Sequence, residues 1–255
     1  MKTKKKPLFI AFSSQKGGVG KSTFTALIAS LMHYRLGYNV AVMDCDYPQY
    51  SLLKMRERDL KTVKENENFK RIAQKQFMSI NKKAYTIERC KSETALNEAD
   101  SLFQSSSVPL DVIFFDLPGT VNSAGILKTL MGMDYIFSPI TADRVVVESS
   151  LSFTQALTDI IAKSGESSIK GIHLFWNQVD RREKSNLYDL YDKFITSMGF
   201  SLMRTYITDS KRFRKESEAM ARTPFRSSLL APDKRQMTAC QLDLFILEFL
   251  RTTKL

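Results

Sequence analysis

The chain has few cysteines and no long apolar run, and each of these absences excludes a class of protein. Three cysteines among 255 residues are a sparse and odd-numbered set, which argues against a disulfide-stabilised secreted protein and favours a reducing cytosol. No apolar run approaches the roughly 18 residues needed to span a bilayer. Residues 1–7 resemble the basic start of a signal peptide, but the apolar stretch 8–12 is too short and no small-residue cleavage site follows. We therefore expect a cytoplasmic protein.

The chain also lacks a linker rich in Pro, Gly or Ser, and it shows no internal repeat. Hydrophobic residues make up 43% of the sequence, which is enough to bury a sizeable core. A single domain over residues 1–255 is the simplest expectation. The net charge of +11 favours a polyanionic partner, either nucleic acid or an anionic membrane surface, although the same charge would also serve solubility alone.

Short apolar segments alternate with helical ones along the chain. This alternation predicts an α/β fold with a doubly wound, mostly parallel sheet of about seven or eight strands flanked by helices, because strands apolar on both faces need helices on each side. The predicted strands are residues 8–12, 39–44, 85–90, 112–116, 135–140, 171–176 and 201–207. The predicted helices are residues 21–36, 48–77 (exposed, with little core of its own), 94–103, 143–163, 185–198 and 234–251.

A glycine-rich segment between the first strand and the first helix reads Lys16-Gly-Gly-Val-Gly-Lys-Ser-Thr23. Glycines let the backbone curl around phosphates with its N–H groups inward, and the following helix adds its positive end. Lys21 would supply a charge to the β- and γ-phosphates, and the Ser22 hydroxyl can ligate Mg²⁺. The usual pattern G-x-x-x-x-G-K-[ST] fails at its first glycine, where Gln15 stands. The candidate nucleotide contacts are Gln15, Lys16, Gly17, Gly18, Val19, Gly20, Lys21, Ser22 and Thr23.

The same segment resembles the deviant Walker A motif, K-G-G-x-G-K-[ST], of the ParA/MinD family of P-loop ATPases. It is most similar to the ParA branch, in which a glutamine often precedes the first lysine. The resemblance implies ATP and Mg²⁺ as cofactors. It further implies that Lys21 binds the phosphates of its own subunit, and that Lys16 reaches the partner's phosphates across a nucleotide-sandwich homodimer.

Two carboxylates follow the second predicted strand, in the sequence Asp44-Cys-Asp46. Acids at the carboxyl end of a parallel strand lie at the ligand-binding edge of such a sheet. By resemblance, Asp44 supports a hydrated Mg²⁺ and Asp46 orients or activates the attacking water. Family members often continue as D-x-D-P-Q, so Tyr47 is an insertion here. The alternative is a pair of solvated turn carboxylates.

Two later strand ends complete the expected site. Residues 112–116 resemble a Walker B strand, so Asp116 should bind Mg²⁺, through water. Gly119 follows in a segment similar to the family's switch loop and could offer its N–H to the γ-phosphate. Asn177 follows the strand 171–176, where an asparagine of MinD-like members reads the adenine edge. A loop-capping asparagine is the equal alternative.

A basic cluster lies between residues 211 and 226, with two phenylalanines interleaved. ParA proteins bind DNA non-specifically through basic residues in the C-terminal part of each subunit, and such phosphate contacts are sensitive to salt. A solvated helix face is the alternative. The candidate DNA-binding residues are Lys211, Arg212, Arg214, Lys215, Arg222 and Arg226.

The resemblance favours a ParA-type ATPase, associated with the nucleoid, that positions or partitions a DNA element or the transfer complex of a conjugative element. ATP would close a dimer on DNA, and slow, partner-stimulated hydrolysis would release it. A MinD-like membrane regulator is one alternative, but residues 241–251 carry Asp243 and Glu248 and are better explained as a helix packed on the sheet. A metabolic P-loop enzyme or a metal-cluster carrier is another, although the three cysteines form no C-x-x-C pair.

Overall fold

The seven strands of the central sheet all run in the same direction, in the order β3-β2-β4-β1-β5-β6-β7. The structure is a computed structural model that describes residues 5–119, 124–164, 167–180, 182, 186–210, 213 and 223–255. The strands are β1 (Leu8–Phe12), β2 (Val40–Asp44), β3 (Thr86–Arg89), β4 (Val112–Asp116), β5 (Tyr135–Ile140), β6 (Gly171–Trp176) and β7 (Ser201–Leu202). The predicted doubly wound parallel sheet is confirmed.

Helices cover both faces of this sheet, and nine of them fall within the described ranges. They are α1 (Lys21–Tyr34), α2 (Ser51–Glu65), α3 (Glu67–Ile80), α4 (Ala95–Ser105), α5 (Ala124–Met131), α6 (Arg144–Ser164), α7 (Asn186–Ser197), α8 (Lys234–Cys240) and α9 (Leu242–Thr253). Alternate residues of β1 point to opposite faces. Ile10 and Phe12 therefore pack with α1 and α9, while Phe9 and Ala11 pack with α4 and α5.

The register of the central strands aligns their carboxyl ends. Phe12 at the end of β1 pairs with Asp116 of β4, and Asp116 in turn pairs with Asp44 of β2. The loop that follows β1 therefore starts level with two buried carboxylates on neighbouring strands. This alignment sets the position of the candidate site.

Phenylalanine rings hold α9 against the sheet. The ring centroids of Phe249 and Phe137 lie 4.7 Å apart, Phe249 also stacks on Phe12, and the centroids of Phe245 and Phe175 lie 4.8 Å apart. The predicted packing of this segment on the sheet is confirmed. The prediction of one continuous helix over 234–251 is wrong, because Gln241 adopts a left-handed conformation (φ 65°) that separates α8 from α9.

Three other element predictions are corrected. Residues 48–77 form two helices, since the Asn66 side chain accepts hydrogen bonds from the first turn of α3, and they bury more apolar surface than expected, at Leu52 and Phe69 among others. The predicted strand 201–207 is regular only over β7, after which single hydrogen bonds link Met203 and Ile207 to β6. Helix α5 was not predicted.

Among the described residues, none of the helices combines the length and apolar character that crossing a membrane requires.

Candidate functional site

The loop between β1 and α1 has the backbone conformation of an anion cradle. Gly18 (φ 77°) and Gly20 (φ 102°) occupy the left-handed region, which glycine enters without steric cost. The first intrahelical bond runs from Phe24 N–H to the Gly20 carbonyl. The N–H groups of the three preceding residues, at the positive end of α1, therefore remain for a ligand. A Cβ at Gly18 would meet no atom within 4 Å, so the loop is open on that side.

Lys21 lies folded across this cradle. Its Nζ donates to the Lys16 carbonyl at 3.2 Å, and a Cβ placed on Gly119 would come within 3.0 Å of the same Nζ. Burial lowers the pKa of Lys21, while the negative charges of Asp116 and Asp46 oppose the shift. Gly119 therefore lies next to the Lys21 ammonium group, and the carboxylates of Asp116 and Asp46 lie near enough to act on its charge.

Asp116 is fully buried, and neither of its carboxylate oxygens accepts a hydrogen bond within the described part of the chain. Burial raises its pKa to about 8. The Ser22 hydroxyl, which makes no hydrogen bond of normal geometry to Asp116, and the Lys21 ammonium group both lower this pKa. The negative charges of Asp44 and Asp46 raise it. A buried carboxyl group without a partner is costly, so this position suits a cation.

Asp44 and Asp46 have different surroundings. Oδ2 of the buried Asp44 accepts the N–H groups of Leu52 and Leu53, both at 3.0 Å, whereas its Oδ1 is unpartnered among the described residues. Burial raises the pKa of Asp44, and these backbone donors lower it. Asp46 is half-buried and accepts the Ser51 hydroxyl at 3.2 Å.

The residues present fit a magnesium–nucleotide complex. Across the described ranges, no three His, Cys, Asp or Glu side chains converge into a metal cluster of their own. Mg²⁺ in nucleotide sites needs only one or two carboxylates, because phosphates and waters supply the other ligands. The unpartnered oxygens of Asp116 and Asp44, with the Ser22 hydroxyl, would hold such an ion.

The end of β6 braces the cradle from the side. The Asn177 amide donates to the Val19 carbonyl at 2.9 Å, and the Gln178 amide reaches the Gly18 carbonyl at 3.3 Å. A Cβ at Gly20 would lie 3.0 Å from the Asn177 amide nitrogen, so glycine is required there. The adenine contact of Asn177 stays a prediction. The contact of Gln178 was missed, although its place at a strand end is a usable signal.

The remaining loop residues differ in how far they are exposed. Gln15 is exposed and accepts the Ser149 hydroxyl of α6 at 3.3 Å. Lys16 is half-buried, and its own carbonyl receives Lys21. The reach of Lys16 into a partner subunit stays a prediction, as do the phosphate contacts of every residue from Gln15 to Thr23 and of Gly119.

The cysteine between the two acids has a cysteine neighbour. Cys45 packs against the residue that follows β3, and its Sγ lies 2.7 Å from that of Cys90. The contact with Cys90 and burial both raise the pKa of Cys45. Cys240 lies apart, bonded within α8. Cys45 and Cys90 are thus isolated in the sequence but adjacent in space.

The predicted DNA-binding set falls almost wholly outside the described residues. Only Arg226 lies within them, and its Nη1 donates to the Thr23 hydroxyl at 3.1 Å. Arg226 therefore contacts the first turn of α1, beside the cradle. The other five, Lys211, Arg212, Arg214, Lys215 and Arg222, stay predictions.

Comparison with known proteins agrees with this geometry. Residues 10–223 match the family model described as the CobQ/CobB/MinD/ParA nucleotide binding domain. A search of curated proteins finds no match.

Solved structures share the fold at low sequence identity. A plasmid partition protein of Borrelia burgdorferi B31 bound to AMPPNP is 20% identical with a TM-score of 0.53, over 85% of this chain and 93% of that one. Cobyrinic acid a,c-diamide synthase of Mycobacterium smegmatis with an ATP analogue and magnesium is 15% identical with a TM-score of 0.55, over 88% and 90%. The pNOB8 ParA bound to nonspecific DNA is 16% identical with a TM-score of 0.50, over 78% and 79%. With the family model matching most of the chain, the protein belongs to the CobQ/CobB/MinD/ParA family of nucleotide-binding domains.

Proposed function

We propose that this protein is a ParA-type ATPase that binds ATP with Mg²⁺, dimerises, and then binds DNA without sequence specificity. Weak hydrolysis, stimulated by a partner protein, would release the DNA. The observation that carries the proposal is that Lys21, held on the Lys16 carbonyl, lies near Asp116, which is buried and has no partner among the described residues. The cargo would be a DNA element or the transfer complex of a conjugative element.

Each group of the site has a task that follows from its surroundings. Mg²⁺, when bound, neutralises charge on the phosphates. Lys21 supplies a positive charge to the β- and γ-phosphates, and Gly119 offers an N–H where any side chain would press on that ammonium group. Asp46, half-buried and oriented by the Ser51 hydroxyl, can accept a proton from an attacking water.

The dimer is supported by the open side of the cradle. Gly17 and Gly18 are exposed and would tolerate a neighbouring atom, since a Cβ at either meets nothing within 4 Å. Lys16 precedes them and is half-buried. A second subunit can therefore approach the phosphates at this face, and Lys16 is the residue that would cross to it.

The first test separates the two lysines. Lys21→Ala should lose ATP binding, because the cradle loses the ammonium group that lies across it. Lys16→Ala should keep ATP binding by the monomer but lose ATP-dependent dimerisation and hydrolysis. Fluorescent-nucleotide titration, sizing with a non-hydrolysable analogue and phosphate release provide the three readouts.

Lys163→Ala is the matched control, because this lysine is exposed at the opposite end of α6 from the contact with Gln15. ATP affinity of the wild-type level in Lys21→Ala would refute the site. Unchanged turnover in Lys16→Ala would remove its role in the partner subunit.

Two further assays discriminate the other functions open to this family. Leu244 and Leu247 are half-exposed on the outer side of α9, so binding to anionic lipid vesicles with ATP, measured by flotation, would favour a MinD-like membrane role. Phosphate release that depends on a small-molecule acid, without DNA or a protein partner, would favour a metabolic enzyme. The ParA-type proposal requires DNA retention with ATP and neither of these results.

A further inference from the structure

Residues 226–232, here called the strap, run lengthwise along α1. Two side chains in the C-terminal half of α1, and one just beyond its end, donate to strap carbonyls, so the strap backbone packs along the C-terminal half of the helix. These bonds are Ser30 Oγ to Ser227 at 2.6 Å, the Tyr34 hydroxyl to Ser228 at 3.0 Å and Arg35 Nη2 to Pro232 at 2.6 Å.

Helix α2 holds the strap from the other side. Asp59, only 7% exposed, accepts the Ser227 hydroxyl at 2.9 Å and the Ser228 N–H at 2.7 Å. Arg58 donates to the Arg226 carbonyl at 3.1 Å. The backbone at Arg226 and Ser227 is therefore fixed between α1 and α2.

From this fixed backbone the Arg226 side chain reaches the cradle. Its Nη1 donates to Oγ1 of Thr23, the third residue of α1. The Thr23 hydroxyl thus accepts from a cation, which leaves its own O–H to donate to a ligand. A hydroxyl polarised in this way is a stronger donor.

Positive groups converge at the first turn of α1, and this favours an anionic ligand. The start of α1 carries the positive end of the helix dipole, and the Lys21 ammonium group lies in the same turn. The Arg226 guanidinium adds a cation there through its bond to Thr23, and Arg forms well-directed bonds with phosphates. The carboxylates of Asp46 and Asp116 also act on Lys21, so a nucleotide bound with Mg²⁺ would meet both sets of charges.

We propose that Arg226 is a nucleotide-positioning residue, and not a DNA contact, which acts through the Thr23 hydroxyl on the phosphates that ATP and ADP share. This inference rests on the proposed ATP site. It goes beyond that site because it assigns a cation from the far end of the chain to nucleotide binding, and because it removes Arg226 from the candidate DNA surface.

The test titrates fluorescent ATP and ADP, with Mg²⁺, into the full chain and its variants. Arg226→Ala should weaken both nucleotides by about tenfold, as expected for a lost hydrogen bond to a charged group. Arg226→Lys should recover part of the loss, since it keeps the charge but not the fork. Thr23→Ala should cause a similar loss, and the double variant should be no weaker than either single variant.

Arg58→Ala is the matched control, because it loosens the strap at the Arg226 carbonyl without touching Thr23. Its nucleotide affinity should fall much less than that of Arg226→Ala, because Asp59 still holds the strap at Ser227 and Ser228. Unfolding midpoints without nucleotide show that each variant folds, and Arg226→Gln replaces Arg226→Ala if the latter does not.

Three results would overturn the inference. The first is wild-type affinity for both nucleotides in Arg226→Ala together with lost DNA retention, which would return Arg226 to the DNA surface. The second is an Arg58→Ala loss as large as that of Arg226→Ala, which would make the role structural. The third is additive losses in the double variant. A wild-type chain that binds neither nucleotide would instead refute the proposed function itself.

Discussion

At the scale of single residues, the buried position of Asp116 determines the pH at which its carboxyl group titrates. In the unfolded chain an aspartate has a pKa near 3.9, whereas burial raises the pKa of Asp116 to about 8 in the folded protein. Between these values the folded state binds more protons than the unfolded state. The free energy of unfolding should therefore fall as the pH rises from about 4 to about 8, and level off above.

Asp116→Asn removes this titration while keeping the shape of the side chain. Without nucleotide or metal, its stability advantage over the wild type should grow by up to about 1.4 kcal/mol per pH unit across that window. Urea unfolding at pH 5, 6.5 and 8 measures it. Asp189→Asn, on the exposed surface of α7, should follow the wild type, and parallel curves for Asp116→Asn and the wild type would contradict the prediction.

Residue chemistry was predictable from the sequence where it depends on local backbone geometry. The glycine spacing of the cradle predicted its conformation, because Gly18 and Gly20 must adopt positive φ. Contacts between distant residues were not predictable. The bond from Asn177 to Val19 joins residues 158 positions apart, and that from Arg226 to Thr23 joins residues 203 apart.

At the scale of elements, the packing of α9 shows how this layer of helices is held on the sheet. Phe249 is fully buried among Phe12, Phe114 and Phe137. Phe249→Ala should lower the free energy of unfolding by about 3–5 kcal/mol, since it removes a large ring and leaves a cavity. Equilibrium urea unfolding measures this loss.

Leu247→Ala gives the matched comparison on the opposite side of α9, where Leu247 is 52% exposed. Its effect should stay within about 0.5 kcal/mol. A loss at Leu247 equal to that at Phe249 would mean that the outer face is covered by something else, such as a second subunit.

The sequence predicted where most elements lie, but not where they are interrupted. The sequence predicts one helix over 234–251, yet the left-handed Gln241 divides this segment into two helices. The Asn66 cap of α3 was a readable signal. Helix α5 has only eight residues, which is too short for its periodicity to be distinctive.

At the scale of the whole molecule, the alternation of strands and helices was sufficient to predict the parallel sheet, because parallel strands need crossover helices. The strand order was not predicted, since β1 pairs with β4 and β5, which come about a hundred residues later. Such pairing leaves no pattern in a single sequence. The hydrogen bonds of the strap likewise join residues that are far apart in the sequence, so they could not be predicted from it.

The net charge of +11 is a property of the whole molecule, and charge reversal tests whether it serves DNA binding. The double variant Arg212→Glu and Arg214→Glu should lose ATP-dependent DNA retention, and the remaining binding should depend less steeply on salt, because fewer phosphates are neutralised. Gel shift from 50 to 200 mM salt measures both effects.

Reversal of Lys70 and Arg71, exposed on α3, is the comparison for this experiment. If that pair loses retention while Arg212 and Arg214 do not, the DNA surface lies on the α2–α3 layer. Normal retention in the first variant at ordinary salt would clear Arg212 and Arg214.

Asp44 has a consequence for how mutants of this protein are interpreted. One of its oxygens accepts N–H groups in the first turn of α2, whose N-cap residue Tyr50 makes no side-chain hydrogen bond to the helix, while the other oxygen has no partner among the described residues. Replacement of Asp44 by alanine would therefore remove both the cap of a helix and a candidate ion ligand, and an inactive protein would not reveal which loss had mattered. Asparagine, which still accepts those two N–H groups, separates the causes.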